Sequence, residues 1–247
     1  MIKSKTPSLF VANWKMNGDL KALEKWADDF SHPANCVVVL CPPFPYISEA
    51  RRILPEQISI GAQCVSYHMK DGAHTGEVSA RMLREMGCDY VIVGHSERRV
   101  AGDTDEYCSA QLSAAVSYGL VPILCIGEDK KEYNEGKANE VINRQLKSLD
   151  AISSSSPTEY IVAYEPVWAI GTSKTPSADE LSRIREKIQI QISQTNGNMD
   201  KISILYGGSI TMNNACLITD AGMDGGLVGA ASLDGGKFAR ICRCGDV

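Results

Sequence analysis

The sequence lacks any apolar run long enough to cross a membrane. Its apolar stretches are short, such as residues 36–41, whereas a membrane helix needs about 18 apolar residues. No apolar segment of the kind found in secretion signals follows the polar residues 1–7. These absences predict a cytoplasmic protein that has no membrane partner.

Basic clusters and metal-ligand patterns are also lacking. The 25 Lys and Arg residues are outnumbered by 30 Asp and Glu residues, and this balance argues against nucleic acid as a partner. The nine cysteines form no C-x-x-C pair, and with the four histidines they lack the spacing of zinc ligands. We therefore expect no metal site, and we expect the cysteines to be reduced, mostly buried thiols.

Nucleotide-binding motifs are absent too. No G-x-G-x-x-G occurs, and neither Gly136-Lys137 nor Gly236-Lys237 completes a phosphate-binding P-loop. The 247 residues are 44% hydrophobic and 22% charged, which is enough to build and cover a sizeable core and excludes a disordered chain.

What the sequence does contain is a rhythm of short apolar runs, each followed by a segment of helical periodicity. Most runs are continuous rather than alternating, as in parallel strands that are covered on both faces. One helix is predicted from apolar residues at steps of three and four from Leu181 to Ile192, and Ser177 and Glu180 form a capping box at its start. The predicted strands are 8–13, 36–41, 58–62, 89–93, 120–125, 159–164, 201–206 and 226–229.

Eight strand–helix units in about 250 residues fit two α/β architectures, a closed (β/α)8 barrel and an open doubly wound sheet. The missing dinucleotide motif favours the barrel. We predict a single domain over residues 1–247, a (β/α)8 TIM barrel of eight parallel strands surrounded by helices.

Polar residues follow several of the predicted strands, at the end where such barrels build their catalytic sites. Asn13 and Lys15 follow the first strand, His95 the fourth and Glu165 the sixth. An amide, a lysine, an imidazole and a carboxylate are therefore expected to converge on one rim.

The last two predicted strands end in glycine-rich turns. Gly207-Gly208-Ser209 and Gly229-Ala230 allow close approach of the backbone, and free N–H groups at the start of a following helix bind anions. Phosphate binding is the recurring use of these turns in (β/α)8 barrels, so we predict a phosphate site here.

Five motifs, in this order and spacing, resemble the triosephosphate isomerase family over essentially the whole chain. The resemblance implies an isomerase without metal or organic cofactor that interconverts dihydroxyacetone phosphate and D-glyceraldehyde 3-phosphate through an enediolate, in glycolysis and gluconeogenesis. The motifs are NWKMNG (13–18), YVIVGHSERR (90–99), YEPVWAIGT (164–172), YGGS (206–209) and LVGAASL (227–233).

The same resemblance assigns catalytic roles. As is known for this family, Glu165 would be the base that removes a proton beside the carbonyl, and neutral His95 would polarise the carbonyl. Lys15 and Asn13 would stabilise the negative charge that develops on the substrate oxygens.

Binding and supporting roles follow from the same motifs. Backbone N–H groups of Gly171, Ser209, Gly229 and Ala230 would bind the phosphate, together with Asn13 and Lys15. Ser96 and Glu97 would orient Lys15 and its neighbours; capping of the helix beside His95 explains them equally well.

The chain departs from the family pattern at three positions. Segment 166–176 resembles the family's mobile lid, yet Ser173 stands where glycine is usual and Pro176 where a small residue is common. We expect altered lid kinetics from these two changes. Ala230 replaces a glycine at the phosphate, and its methyl group is tolerated only if its φ is negative.

Loop 61–80 is long, and the family uses it to reach into a partner subunit, so a homodimer is expected. Thr75, Gly76 and Glu77 match this arm, and His74 takes a place often held by an aromatic residue. We expect the dimer to weaken below about pH 6, where an ordinary histidine becomes charged; an acidic partner would reverse the sign.

Two other functions remain open at this stage. Another phosphate-binding barrel, such as a sugar-phosphate aldolase or a biosynthetic isomerase, would share the glycine-rich turns but lack Glu165 paired with His95. An aldolase would also need a Schiff-base lysine at a strand end, and only Lys15 lies near one. A barrel retained as a binding or scaffold protein is the second alternative, against which the four intact catalytic positions argue.

Overall fold

A computed structural model describes residues 7–152, 160–169, 175–196 and 202–245 of the chain. Its strands pair in chain order, all parallel, and the last closes onto the first to form a barrel. The predicted (β/α)8 barrel is confirmed, and the predicted strand bounds agree to within one residue. The strands are β1 (Ser8–Asn13), β2 (Cys36–Cys41), β3 (Ile58–Ala62), β4 (Tyr90–Val93), β5 (Val121–Ile126), β6 (Tyr160–Tyr164), β7 (Ile202–Tyr206) and β8 (Gly225–Val228).

Helices surround the barrel. The predicted capping box at the start of the longest one is confirmed: Ser177 Oγ accepts the Glu180 N–H at 3.3 Å, and the Glu180 carboxylate accepts the Ser177 N–H at 2.7 Å. The helices are α1 (Leu20–Asp29), α2 (Ile47–Ile53), α3 (Ala80–Glu85), α4 (Ser96–Val100), α5 (Asp105–Ser117), α6 (Lys130–Asn134), α7 (Ala138–Leu146), α8 (Ala178–Asn196), α9 (Ala215–Asp220) and α10 (Gly235–Cys242).

The core has two layers, and alternate strand residues belong to different layers. In β1, Leu9 and Val11 pack inside the barrel, whereas Phe10 and Ala12 pack between the strands and the helices. This arrangement explains why the strands read as continuous apolar runs. The inward series of β1 continues to Asn13, which reaches the mouth of the barrel. The inward series of β6 continues in the same way to Glu165, the residue after the strand.

The expectation of reduced thiols throughout is wrong for one pair. Cys216 and Cys244 are joined by a disulfide, with their Cα atoms 4.9 Å apart. The two residues are 28 positions apart in sequence, and the packing of α9 against the turn that follows α10 brings them together. The other seven cysteines remain as thiols, and six of those are buried.

The described residues contain neither a membrane-spanning helix nor a cluster of metal ligands. None of the helices there is both long and apolar enough to cross a membrane. No group of three or more His, Cys, Asp or Glu side chains in the same residues could hold a metal ion.

Candidate active site

The backbone at the end of β1 holds Lys15 in an unusual conformation. Among the described residues other than glycine, Lys15 alone has a left-handed backbone, with φ of 52°. Such a conformation costs about 1–2 kcal/mol and persists only where neighbours fix it. Here the Lys15 N–H donates to Asn13 Oδ1 at 3.0 Å, and Gln63 Nε2 donates to the Lys15 carbonyl at 2.9 Å.

The Lys15 side chain forms an ion pair with Glu97 in α4. Its Nζ lies 2.6 Å from Glu97 Oε1, and the two side chains are 26% and 60% exposed. The pair therefore links the end of β1 to the start of α4 and fixes the direction of the ammonium group. A pair this exposed contributes little to stability, so its effect is on position.

Gly94 turns the chain out of β4 and makes His95 the residue that caps α4. Its φ of 67° favours glycine, and a Cβ there would lie 2.8 Å from Cys108 Sγ. His95 is buried, and its Nδ1 accepts the backbone N–H of Glu97 at 3.2 Å. Because Nδ1 is an acceptor, the proton of the neutral ring sits on Nε2, which faces the cavity.

Glu165 follows β6 and is only 2% exposed. Its Oε2 accepts the backbone N–H of Ser96 at 2.9 Å, and its Oε1 lies 3.1 Å from His95 Nε2. That second pair is close but too poorly aligned to form a hydrogen bond, so Oε1 stays without a partner among the described residues. A carboxylate in this state is available to another proton donor.

Two glycines leave room for Glu165. A Cβ on Gly207 would lie 2.7 Å from Glu165 Cγ, and a Cβ on Gly127 would overlap the Glu165 carbonyl oxygen. Cys125 packs close to Glu165, and burial together with the Glu165 charge raises the pKa of its thiol well above the ordinary value. Cys125 therefore acts as packing beside the base, not as a nucleophile.

A second buried carboxylate, Glu128, lies just beyond β5. It accepts the Tyr164 hydroxyl at 3.1 Å and Trp168 Nε1 at 2.8 Å. Burial and the nearby Glu128 charge raise the pKa of Tyr164. These contacts fix the backbone on both sides of Glu165.

One cavity of about 310 Å³ collects the predicted groups. Ser209, Gly229 and Ala230 form one part of its rim, where Gly229 (φ −83°) precedes the 3₁₀ turn Ala230–Leu233. The first N–H groups of such a turn have no partner within it and can bind an anion. The backbone of Ala230 is not left-handed, and this is the condition under which its methyl group is tolerated. The cavity is lined by Asn13, Trp14, Lys15, Asn17, His95, Glu165, Gly207, Gly208, Ser209, Ile210, Thr211, Leu227, Gly229, Ala230 and Ala231.

Comparison with known proteins agrees with this geometry. The sequence profile described as triosephosphate isomerase matches residues 8–245. The chain belongs to the triosephosphate isomerase family. The curated triosephosphate isomerase of Alcanivorax borkumensis is 42% identical over 98% of this chain and 100% of its own length. Those of Polynucleobacter asymbioticus (40% identical, 96% of this chain and 99% of the relative) and Azoarcus sp. (41%, 96% and 99%) are similar.

The structure brings nearly all of the predicted site residues of this family member together. Ser96 and Glu97 lie at the start of α4, where Ser96 contacts Glu165 and Glu97 contacts both Lys15 and His95. The exceptions are Gly171 and Ser173, which lie outside the described residues.

Sequence reasoning missed two residues that support the site, Gln63 and Glu128. Both follow strand ends, Gln63 after β3 and Glu128 soon after β5, so the rule that located the other residues applies to them as well. The signal was present, but neither residue type by itself indicates what it would contact.

Proposed function

We propose that Glu165, His95, Lys15 and Asn13 catalyse in this chain the reaction of the triosephosphate isomerase family. The chain is an isomerase that interconverts dihydroxyacetone phosphate and D-glyceraldehyde 3-phosphate, a step of glycolysis, and the family works without a cofactor. The assignment of roles is supported by the single cavity that a carboxylate, an imidazole and an ammonium group share.

Glu165 is proposed as the general base. Glu165 already lines the cavity; to reach the substrate its carboxylate gives up the Ser96 N–H and turns further inward, and the missing side chain of Gly207 leaves space for its CH₂ groups. There it removes a proton from the carbon beside the carbonyl and returns the proton to the neighbouring carbon. General base catalysis of this kind contributes about 10²–10⁴-fold to the rate.

His95 moves protons between the two substrate oxygens. Its Nε2–H donates to the carbonyl oxygen as negative charge grows there, and after donation the same nitrogen accepts the proton of the adjacent hydroxyl. Because Nδ1 is held by the Glu97 N–H, the ring cannot rotate or change tautomer without losing that bond.

Lys15 and Asn13 supply the positive field for the enediolate, and Ser96 and Glu97 support the machinery. Held by Glu97 and by its own strained backbone, the Lys15 ammonium is fixed before substrate binds, which avoids the cost of reorganisation during the reaction.

The phosphate end of the substrate is proposed to bind at the part of the rim formed by Ser209, Gly229 and Ala230. Ser209, Gly229 and Ala230 offer backbone N–H groups there, and Gly171, from the motif at 164–172, is proposed to add another. Four amides from three segments suit the oxygens of a phosphate better than those of a neutral group.

We also propose a homodimer formed through the loop between β3 and α3, residues 63–79. Its tip is exposed, and its base is held by a hydrogen bond from the Ser66 N–H to the Val78 carbonyl at 2.8 Å. The exposed apolar side chains Met16 (95%) and Val100 (88%) lie close to the catalytic residues and would be covered by a partner subunit. Sedimentation should show a dimer that Val100→Glu weakens; a wild-type monomer would contradict this proposal.

The cytoplasm is the proposed location, since glycolysis, the pathway of this family, supports it. Fractionation of cells with an antibody against the chain would test this, and recovery in a membrane or secreted fraction would oppose it.

The catalytic roles are tested with a coupled assay that starts from glyceraldehyde 3-phosphate. Glu165→Gln should lower kcat by at least about 10²-fold, because it removes the general base and keeps the shape of the side chain. The matched control is Glu186→Gln, the same chemical change at an exposed position of α8, which should leave kcat unchanged. An equal rate for wild type and Glu165→Gln would contradict the role of Glu165, and an inactive wild type would favour a scaffold protein.

A further inference from the structure

Asn214 precedes α9 in the position of a helix cap, yet its side chain makes no capping hydrogen bond. Asparagine at this position normally accepts a backbone N–H from the first turn of its own helix. The side chain instead faces the loop that carries Ser209, so its hydrogen bonds are used elsewhere.

Four hydrogen bonds occupy the Asn214 amide completely. Its Nδ2 donates to the Ser209 carbonyl at 2.8 Å and to Thr175 Oγ1 at 2.9 Å. Its Oδ1 accepts the Thr211 N–H at 2.7 Å and the Thr211 hydroxyl at 3.3 Å. A side-chain amide has two donors and two acceptor sites, so all of its capacity is used within these three residues.

The residues joined in this way belong to two different connections at the mouth of the barrel. Ser209 lies in the β7–α9 connection and lines the cavity at its phosphate end. Thr175 lies in the β6–α8 connection, downstream of Glu165, and is followed by the buried Pro176, whose ring fixes the backbone. Asn214 thus bridges the phosphate rim to the downstream end of the segment that begins at Glu165.

We infer that Asn214 is a positioning residue for phosphate binding, which acts by holding Ser209 and Thr175 at a fixed separation. It lines no part of the cavity itself, so its effect passes through the backbone of Ser209. This inference rests on the proposed function, because it assumes that the rim at Ser209 receives the substrate phosphate. It predicts a change in the affinity for anions and little change in proton transfer at Glu165.

The test compares Asn214→Ala with two variants that act only at the other end of the bridge. Thr175→Val removes the hydroxyl and keeps the shape, whereas Thr175→Ser keeps the hydroxyl. The matched control is Asn213→Ala, because Asn213 is the exposed neighbour and only its backbone N–H takes part in a hydrogen bond here. Each variant is assayed for kcat and KM with glyceraldehyde 3-phosphate and for inhibition by inorganic phosphate, which probes the rim without chemistry.

A lost hydrogen bond of ordinary strength predicts an increase of about 2–12-fold in both KM and the inhibition constant of phosphate. Asn214→Ala and Thr175→Val should both show it, with kcat changed by less than about twofold, and Thr175→Ser should resemble wild type. Asn214→Ala already removes the hydrogen bond to the Thr175 hydroxyl, so adding Thr175→Val removes no further bond of the bridge. The increase in KM of the double variant should therefore be smaller than the product of the two single increases.

Three results would overturn the inference. Asn214→Ala could match Asn213→Ala in KM and phosphate inhibition, kcat could fall while KM stays constant, or the two single effects could multiply without coupling. If Asn214→Ala does not fold, the comparison of Thr175→Val with Thr175→Ser decides alone. If the wild type shows no turnover, the proposed function fails, whereas calorimetry with inorganic phosphate still measures the effect of the bridge on anion binding.

Discussion

Gln63 offers a test of how the strained backbone of Lys15 is maintained. Gln63 Nε2 donates to the carbonyls of Lys15 and Cys41, each at 2.9 Å. Replacement by methionine keeps the length of the side chain and removes both hydrogen bonds. The change therefore releases one of the contacts that hold Lys15 in its left-handed conformation without removing any group from the cavity.

Two opposing effects decide the outcome for stability. Each lost hydrogen bond costs about 0.5–1.5 kcal/mol of unfolding free energy. If the Lys15 backbone then leaves the left-handed region, relief of about 1–2 kcal/mol offsets much of that loss. The Cys41 carbonyl also keeps the Trp14 N–H at 3.2 Å, which limits the cost further. We therefore expect the unfolding free energy to fall by no more than about 2 kcal/mol.

Catalysis should suffer more than stability, because the ammonium group moves when the backbone relaxes. We expect kcat/KM to fall by about 10–100-fold in Gln63→Met, equivalent to about 1.4–2.8 kcal/mol of transition-state stabilisation. Steady-state kinetics and urea unfolding measure the two effects separately, and Gln57→Met at an exposed position is the control. An unchanged kcat/KM together with a fall of about 3 kcal/mol in stability would show that Gln63 supports only the fold.

Three further predictions concern thiols and histidines. The Cys216–Cys244 disulfide predicts seven titratable thiols in denatured, unreduced protein and nine after reduction, and nine from the start would contradict it. Burial raises the pKa of Cys88 from 9.0 to about 12, so ionisation above about pH 9 favours the unfolded chain. The unfolding free energy should be constant below this range and fall between about pH 9 and 12 by up to about 1.4 kcal/mol per pH unit for this thiol. Cys88→Ala should make this fall less steep, and the same slope in the variant and the wild type would refute the assignment to Cys88. The rings of His68 and His74 stack with centroids 3.4 Å apart in the loop between β3 and α3. His74→Ala should therefore loosen this loop and weaken the dimer, whereas His74→Phe, which keeps an aromatic ring, should not; equal dissociation of the wild type and His74→Ala would dismiss the idea.

The fold and most of the site could be predicted because they follow from local patterns. Strand periodicity places Leu9, Val11 and Asn13 on one face, so a polar residue at the end of the series must emerge at the mouth. Ser177 and Glu180 form their capping box within a single helical turn, which depends on no distant part of the chain.

Other features depend on contacts between distant segments. Gln63 reaches the carbonyl of Lys15, 48 residues earlier, and Asn214 reaches Thr175, 39 residues earlier. Glutamine and asparagine bond equally well to many groups, so their sequence context does not identify the partner. The same applies to Cys216, whose partner is set by the packing of α9 against the end of the chain.

The central claim is that Glu165 removes a proton beside the carbonyl, in the cavity that it shares with His95. Proton exchange at the substrate carbon tests this claim most directly. In deuterated water, wild-type protein should introduce deuterium at the hydroxyl-bearing carbon of dihydroxyacetone phosphate, and nuclear magnetic resonance follows the loss of the carbon-bound hydrogen. Glu165→Gln should slow this exchange by at least about 10²-fold while inorganic phosphate still binds. Exchange at the wild-type rate in Glu165→Gln would contradict the account.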